Sequence, residues 1–198
     1  MRGKAMARKR PASEMLASYR AGCAAGRVLA IDPGPRNLGL CVLDGTDPAQ
    51  NMLKLVDIFK GHKMHEPLTF HRINEWCTLP ETQALFASAS AIYIERQYDN
   101  PKRQRTLSRI LLLIQTVLRV HAGPKGALVC PKRVMTWAQV PFAGNDNNKI
   151  NKEAKARELM PDLMAEYDRT CNGGRAHDVA DALLIALYIR SGGLAETC

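Results

Sequence analysis

Residues 27–44, with the sequence RVLAIDPGPRNLGLCVLD, decide the fold of this chain. The apolar run 28–31 predicts a buried β-strand that ends on an acid, Asp32. A Pro-Gly-Pro turn follows, and the second apolar run, 38–43, predicts a neighbouring antiparallel strand. An acid at the end of a buried strand costs free energy unless its charge is compensated. Asp32 is therefore either a cap of its own turn or a side chain that binds a cation.

The rest of the chain alternates predicted helices with predicted strands. Further strands are predicted at residues 53–59, 91–95 and 127–130, and helices at residues 68–77, 80–87, 105–120, 149–165 and 178–190. Pro161 is expected to end or kink the fourth of these helices, and residues 144–148 are expected to form a polar loop. Three antiparallel strands, then strands separated by helices, are typical of an α/β fold with a mixed five-stranded sheet and helices on both faces.

Length and composition predict one folded domain with a tail. The chain has 198 residues, of which 46% are hydrophobic, and we assign residues 27–198 to the domain and residues 1–26 to a basic tail. The tail is open to three interpretations: a disordered segment, a nucleic-acid-binding arm or a targeting segment. Since the apolar runs are too short to span a bilayer, no membrane partner is expected.

The six cysteines are scattered along the chain, and no two of them form a Cys-x-x-Cys pair. This spacing argues against a disulfide framework and against a zinc site. It favours an intracellular, reducing compartment.

The positive charge is concentrated in the middle of the chain. Residues 96–160 contain thirteen Lys or Arg against four acids, a net charge of +9, whereas residues 28–95 and 161–198 each carry −3. A basic centre is typical of a protein that binds a polyanion such as nucleic acid. A solvated basic surface has the same composition, so charge alone does not decide between them.

The last predicted helix carries two acids where a charge is costly. Its sequence, HDVADALLIALYIR at residues 177–190, is almost wholly apolar after the first turn, so the helix must be largely buried. Asp178 and Asp181 lie three residues apart on one face. A capping role at the helix start explains Asp178 but leaves Asp181 without an explanation.

A fourth acid, Glu95, ends the predicted strand 91–95 in the way that Asp32 ends the first strand. If these two strands are neighbours and the last helix packs over their ends, all four carboxylates converge. Such a cluster binds hard divalent cations, and a pair of Mg²⁺ or Mn²⁺ ions can activate water for phosphodiester hydrolysis. The alternative is that each acid is satisfied separately by a cap or an ion pair.

Several motifs resemble those of the RuvC-type Holliday junction resolvases in the ribonuclease H-like superfamily. They are IDPG at 31–34, IERQ at 94–97 and HDVADALLIA at 177–186, with PKRV at 131–134 and NKEA at 151–154 similar to segments of the viral branch. The resemblance covers roughly residues 27–190 and is nearest to the poxvirus and fungal mitochondrial branch. It implies a ribonuclease H-like fold.

The resemblance also implies an activity. Members of this family are homodimeric, Mg²⁺-dependent endonucleases that place paired, symmetric nicks in four-way DNA junctions and leave ligatable ends. By position, the metal ligands would be Asp32, Glu95, Asp178 and Asp181. The same acids and Lys152 would be the catalytic residues, with a pair of Mg²⁺ or Mn²⁺ ions in each site. Lys152 would lie near the scissile phosphate, and Lys149 and Lys155 are close alternatives.

The basic centre of the chain would then contact the junction. Gln97 follows the strand-borne acid by two positions, as in the family branch, and would approach the DNA. Tyr98 would stack on an unpaired base, and basic side chains would contact phosphates. The predicted DNA-binding residues are Arg96, Gln97, Tyr98, Lys102, Arg103, Arg105, Lys132, Arg133, Lys149 and Lys155.

The expected partners are junction DNA and a second copy of the chain, without a small-molecule cofactor. The helix at 105–120 is the predicted dimer seam because its apolar surface is broad for one sheet face. The expected place of action is a site of DNA replication or recombination, which leaves a viral factory, the nucleus and the mitochondrion open.

Three other functions share some of these features. A ribonuclease H-like nuclease for another branched DNA or for structured RNA would use the same four acids. An actin-like ATP-binding protein also begins with a strand, an Asp and a Gly, but it needs two such domains and leaves Asp178 and Asp181 unexplained. A non-catalytic nucleic-acid-binding module explains the basic centre but not the buried acids.

Overall fold

The structure, a computed structural model, describes residues 26–34, 36–58, 65–98, 105–141, 145–171 and 175–193. In these ranges the chain forms five strands and seven α-helices. The strands are β1 (Arg27–Pro33), β2 (Asn37–Asp44), β3 (Met52–Asp57), β4 (Ala91–Glu95) and β5 (Gly126–Val129). The helices are α1 (Glu66–Thr78), α2 (Pro80–Ser88), α3 (Arg105–Ala122), α4 (Pro131–Ala138), α5 (Asn145–Leu159), α6 (Pro161–Cys171) and α7 (Ala176–Arg190).

The five strands form one mixed sheet in the order β3-β2-β1-β4-β5. β1 and β2 are antiparallel, as are β2 and β3, whereas β4 runs parallel to both β1 and β5. The predicted mixed five-stranded sheet, with its first three strands antiparallel, is confirmed. β1 lies at the centre, so both of its faces need an apolar cover.

Two apolar cores cover the two faces of the sheet. Because side chains alternate along a strand, Leu29 and Ile31 of β1 point into one core, which α1, α2 and α3 complete. Val28 and Ala30 point into the other core, which α4 to α7 complete. Helices therefore lie on both faces, as predicted.

In the second half of the chain one prediction is wrong, one is confirmed and one helix was not predicted. The stretch 144–148 is not a loop throughout, because α5 begins at Asn145. The prediction that Pro161 ends or kinks the helix at 149–165 is confirmed, since the stretch forms two helices, α5 and α6, separated at Met160, which precedes the helix-initiating Pro161. The short helix α4, which begins with Pro131, was not predicted.

Helix α7 is anchored at both ends. Its N-terminal turn lies against β2, where Gly39 has no side chain: a Cβ added there would overlap the backbone carbonyl of Asp178. At its other end, the Arg190 side chain is 1% exposed and donates hydrogen bonds to the carbonyls of Gly26 at 3.0 Å and Leu43 at 3.4 Å. These contacts fix α7 across the central strands.

The predicted tail, residues 1–26, lies outside the described residues except for Gly26. In the described ranges, no helix is long and apolar enough to cross a membrane. Four cysteines in these ranges carry free thiols: Cys41, Cys77, Cys130 and Cys171.

Candidate active site

Two acids lie side by side at the carboxyl ends of the central parallel strands. Ile31 of β1 pairs with Ile94 of β4, so the next residues, Asp32 and Glu95, end neighbouring strands at the same edge. Asp32 shares the sheet face of Ala30, and that face packs against α7. Asp32 is 7% exposed, so its carboxyl group is largely removed from water.

The close contact of α7 with β2 brings the other two acids to this edge. Gly39 is paired with Asp32 across β1 and β2. Since the Asp178 carbonyl occupies the space of a missing Gly39 side chain, the first turn of α7 lies beside Asp32. Asp181 is one turn further along α7 and interacts electrostatically with both Asp32 and Glu95. The first two turns of α7 thus bring Asp178 and Asp181 to the sheet edge at which Asp32 and Glu95 lie.

Two of these acids, Asp32 and Asp181, have raised pKa values. Burial raises the pKa of Asp32 well above its ordinary value, and the charges of Glu95 and Asp181 raise it further. A side-chain hydrogen bond with Glu95 also raises the pKa of Asp32. Burial raises the pKa of Asp181 to about 7, with smaller contributions from Glu95 and Asp178, although Lys152 opposes the shift. The cluster thus has more negative charge than its protein surroundings compensate.

Lys152 is the lysine of the three candidates that reaches these acids. Its ammonium nitrogen Nζ lies 2.7 Å from Oδ1 of Asp181, and only 16% of each side chain is exposed. Burial alone would lower the pKa of Lys152, but the charges of the neighbouring acids raise it. Lys149 is exposed, and Lys155 Nζ instead pairs with Glu158 at 2.9 Å.

Asp178 has two partners of its own and is not the helix cap. α7 begins at Ala176, so Asp178 is the third residue of the helix. Its Oδ2 lies 3.3 Å from Nε of Arg175, and its Oδ1 lies 3.1 Å from Nε2 of His177. In the structure, both oxygens of Asp178 therefore face basic side chains.

The four carboxylates form a set of oxygen donors of the kind that divalent cations bind. As the described side chains stand, no three His, Cys, Asp or Glu residues are arranged to hold a metal ion. The chemistry of the set nevertheless fits Mg²⁺ or Mn²⁺, because hard cations prefer carboxylate oxygens and this cluster consists of four carboxylates. Lys152 already places one cationic group among them. The pKa of the buried Asp32 is raised, so its ionised form is unfavourable here, and a bound cation would stabilise that form.

The segment after β4 leads away from the acids to the protein surface. The side-chain amide of Gln97 donates to Oε2 of Glu95 at 3.1 Å, so in this structure it faces the carboxylates. Tyr98 is 47% exposed, and the guanidinium carbon of Arg96 lies 5.3 Å from the centre of its ring. An exposed aromatic ring beside an Arg is suited to stacking on a base.

The N-terminal turn of α4 lies beside this segment. The Tyr98 hydroxyl donates to the thiol sulfur of Cys130, the residue that precedes α4. Burial would raise the pKa of Cys130, but hydrogen bonds from Tyr98 and from the backbone of Lys132 and Arg133, with the Arg133 charge, lower it. Lys132 and Arg133 are themselves exposed.

The structure thus groups four of the predicted DNA-binding residues: Arg96, Tyr98, Lys132 and Arg133. Arg105 is exposed at the start of α3, and Lys149 is exposed on α5. Lys102 and Arg103 lie outside the described residues. A role for any of them in binding DNA stays a prediction.

The sequence reasoning missed four residues that shape the site: Gly39, Gln115, Cys130 and Arg175. Gly39 carried a signal, because a glycine inside a strand often marks the close approach of another backbone. Gln115, on α3, accepts a hydrogen bond from the backbone of Gln97, and nothing in its neighbourhood in the sequence indicates this.

Comparisons with known proteins give likenesses in structure only. No protein-family model matches the chain, and no curated protein matches it. Thermus thermophilus RuvC in complex with a Holliday junction substrate superposes with a TM-score of 0.56 and 22% identity, covering 86% of this chain and 98% of that chain. Another Thermus thermophilus RuvC structure has a TM-score of 0.53 and 20% identity over the same shares of the two chains.

The yeast mitochondrial Holliday junction resolvase Ydc2 superposes with a TM-score of 0.54 and 14% identity, covering 91% of this chain and 93% of that chain. At such identities the likeness establishes the fold, and nearly the full length of each solved chain takes part in it. The α/β architecture predicted from the sequence, with its mixed five-stranded sheet, is therefore the ribonuclease H-like fold of RuvC and Ydc2.

Proposed function

We propose that the chain is a divalent-metal-dependent endonuclease that resolves four-way DNA junctions. The observation that carries this proposal is the group of Asp32, Glu95, Asp178 and Asp181 with Lys152, at the carboxyl ends of β1 and β4. Asp32 is buried and the other members are half-buried. A structural role does not account for it, because clustered carboxylates, among them Asp32 and Asp181 with raised pKa values, lower the stability of a fold. Thermus thermophilus RuvC, which has the same fold, was solved in complex with a Holliday junction substrate.

The four acids would hold Mg²⁺ or Mn²⁺, and such ions activate water and stabilise the charge that develops in phosphodiester hydrolysis. The ammonium of Lys152, held 2.7 Å from Asp181, is placed to stabilise negative charge on a phosphate that enters the site. Asp178 and Asp181, one turn apart on α7, keep their carboxylates beside those of β1 and β4. The anchored helix thus preorganises the acids before substrate binds.

The surface beside these acids is suited to branched DNA. Arg96, Lys132 and Arg133 supply cations for phosphates, and the exposed ring of Tyr98 supplies a stacking platform. The strands change partners at the crossover of a junction, so the base pairs there open more readily than those inside an intact duplex and can offer a base face for stacking. This pairing of a phosphate-binding surface with an exposed aromatic ring favours junction DNA over linear duplex.

The proposed assembly is a homodimer with a two-fold axis, because a four-way junction needs two symmetric nicks and one chain has one set of acids. The proposed seam is the outer surface of α1 and α3. The two helices lie side by side, as Asn74 of α1 contacts His121 of α3 at 2.9 Å. Phe70 on α1 is 53% exposed and Val120 on α3 is 72% exposed. Leu113, which also lies on α3, is partly buried and packs against the core, so it does not suit a mutation meant to test the seam.

The substrate class is tested with a panel of labelled nucleic acids in Mg²⁺: a four-way junction, a three-way junction, a linear duplex and an RNA hairpin. The proposal predicts cleavage of the four-way junction well above that of the others, and no cleavage in EDTA. Preferred cleavage of the RNA hairpin or the three-way junction would favour the related nuclease with another substrate. Binding without any cleavage would favour the non-catalytic module.

A further inference from the structure

A side chain on α3 holds the segment that carries Gln97. The sheet ladder beyond β4 ends with the Arg96 backbone N–H, which donates to the carbonyl of Val129 at 2.8 Å. The next backbone N–H, that of Gln97, donates instead to Oε1 of Gln115 at 2.6 Å. Gln115 therefore supplies the acceptor that a neighbouring strand no longer provides.

The side chain of Gln97 connects this bond to the carboxylate cluster. Its amide donates to Oε2 of Glu95 at 3.1 Å. Glu95 in turn acts electrostatically on both Asp32 and Lys152. Two hydrogen bonds thus connect Gln115 through Gln97 to Glu95, which belongs to the carboxylate cluster.

The bond also has a structural cost if it is removed. Gln97 and Gln115 are both partly buried, so a Gln97 N–H without its acceptor would be poorly solvated. Tyr98, the next residue, and the Arg96 guanidinium that lies on its ring are on the same short segment. Loss of the anchor would therefore disturb both the Gln97 amide and the exposed aromatic ring.

We propose that Gln115 is a positioning residue of the active site, which fixes Gln97 so that its amide holds Glu95 in the orientation needed for metal binding. This inference rests on the proposed metal-dependent function. Groups that orient metal ligands from behind commonly change metal affinity by about 10-fold to 100-fold when they are removed. Gln115 contacts Gln97 and not the proposed metal ligand Glu95 itself, so its removal should change the metal affinity by an amount near the lower end of that range.

The test compares two substitutions at one position in the full-length chain. Gln115→Leu removes the acceptor at nearly constant volume, and Gln115→Glu keeps an acceptor oxygen in the same place. Mn²⁺ binding is measured by calorimetry without DNA, and the exchange rate of the Gln97 backbone amide is measured by NMR without metal. Gln115→Met serves as a second acceptor-free variant if Gln115→Leu does not fold.

The inference predicts that Gln115→Leu weakens Mn²⁺ binding and speeds Gln97 amide exchange, each by about tenfold, while Gln115→Glu stays close to the parent in both. Parent-like Mn²⁺ binding in Gln115→Leu would overturn it, even if exchange became faster, because Gln115 would then have a structural role only. A parent protein that binds no Mn²⁺ would overturn the proposed metal site, and a Gln97 exchange rate unchanged in Gln115→Leu would separately overturn the Gln115 anchor.

Discussion

The ion pair between Lys152 and Asp181 places a cation among carboxylates that are largely removed from water. Its ammonium compensates part of their charge, yet Asp32 and Asp181 keep raised pKa values. This arrangement does not increase the stability of the fold, since a protein with apolar side chains in the same volume would be at least as stable. The cost is explained if the residues bind metal and substrate.

Removing one carboxylate should separate catalysis from binding. We expect Asp32→Asn or Asp181→Asn to abolish nicking while junction binding survives, because only the charge needed for metal binding is lost. Binding is expected to stay equal or become tighter, since a carboxylate repels phosphate. Parallel cleavage and gel-shift assays measure the two properties. Either variant cutting at close to the parent rate would remove that residue from the set of metal ligands.

The raised pKa of Asp181 predicts a pH dependence of stability without metal. Its pKa is about 7 in the folded protein and near its ordinary value of 3.8 in the unfolded chain. Between these values the folded state binds more protons, so the contribution of Asp181 to stability falls as pH rises from about 4 to 7. Mg²⁺ should offset this loss, so the rise in Tm on adding Mg²⁺ should be larger at pH 8 than at pH 5.

The measurement is thermal unfolding in EDTA and in Mg²⁺ from about pH 4 to pH 8, with Asp181→Asn as the matched variant. The Tm difference between parent and variant in EDTA should shrink, or change sign against the parent, as pH rises. A difference that grows in favour of the parent over the same range would contradict the raised pKa.

At the scale of elements, the site depends on how closely α7 approaches β2. We expect Gly39→Ala to destabilise the protein by about 1–3 kcal/mol, because its Cβ would overlap the Asp178 backbone and push the helix start away. The same displacement would move two of the four acids, so nicking should fall with stability. Thermal unfolding and junction cleavage at a temperature well below Tm measure the two effects.

Gly123→Ala is the matched control for this substitution. Gly123 has a φ of +57° and nothing within 4 Å of an added Cβ, so the change costs about 1–2 kcal/mol of backbone strain without moving α7. Its nicking rate should stay near that of the parent. If Gly39→Ala cuts as well as Gly123→Ala, the close contact of α7 and β2 does not position the acids.

The elements that build the site were predictable because their signals are local. The apolar runs of β1, β2 and β4, each bounded by a turn or an acid, predict the strands within two residues. Residues 179–189 of α7 are apolar except for Asp181, so this acid stands out in the sequence. The sequence left open whether β1 and β4 are neighbours. The structure pairs them in parallel, and neighbouring parallel strands end at one edge, so Asp32 and Glu95 meet there.

The elements that were missed lack such local signals. Helix α4 has eight residues, too few for a clear period, and its apolar residues Val134, Met135 and Ala138 are visible as one face only once the core is known. The first turn of α5 is rich in Asn and Asp, which are typical of loops and caps, so its sequence favours a loop although the turn is helical. The bond between Gln97 and Gln115 joins residues from separate elements, so no sequence period reports it.

At the scale of the whole molecule, the two proposed nicks require two chains. We expect Val120→Glu to give monomers, because it places a charge on the exposed surface of α1 and α3 proposed as the seam. Ile150→Glu is the matched control, since Ile150 is 65% exposed on α5, which packs on the opposite face of the sheet. Light scattering at micromolar concentration measures both. A parent protein that is monomeric with and without junction would contradict the dimer.

The central claim is that two sets of buried carboxylates make paired, metal-dependent nicks in one junction. The direct measurement is cleavage of a supercoiled plasmid that extrudes a cruciform, with Mg²⁺ or EDTA and with Asp181→Asn beside the parent. Two nicks placed within one binding event convert the plasmid to linear product, whereas single nicks give the open circle. The account predicts linear product from the parent in Mg²⁺ and none in EDTA or from Asp181→Asn. Linear product from Asp181→Asn, or an intact cruciform plasmid with the parent in Mg²⁺, would contradict it.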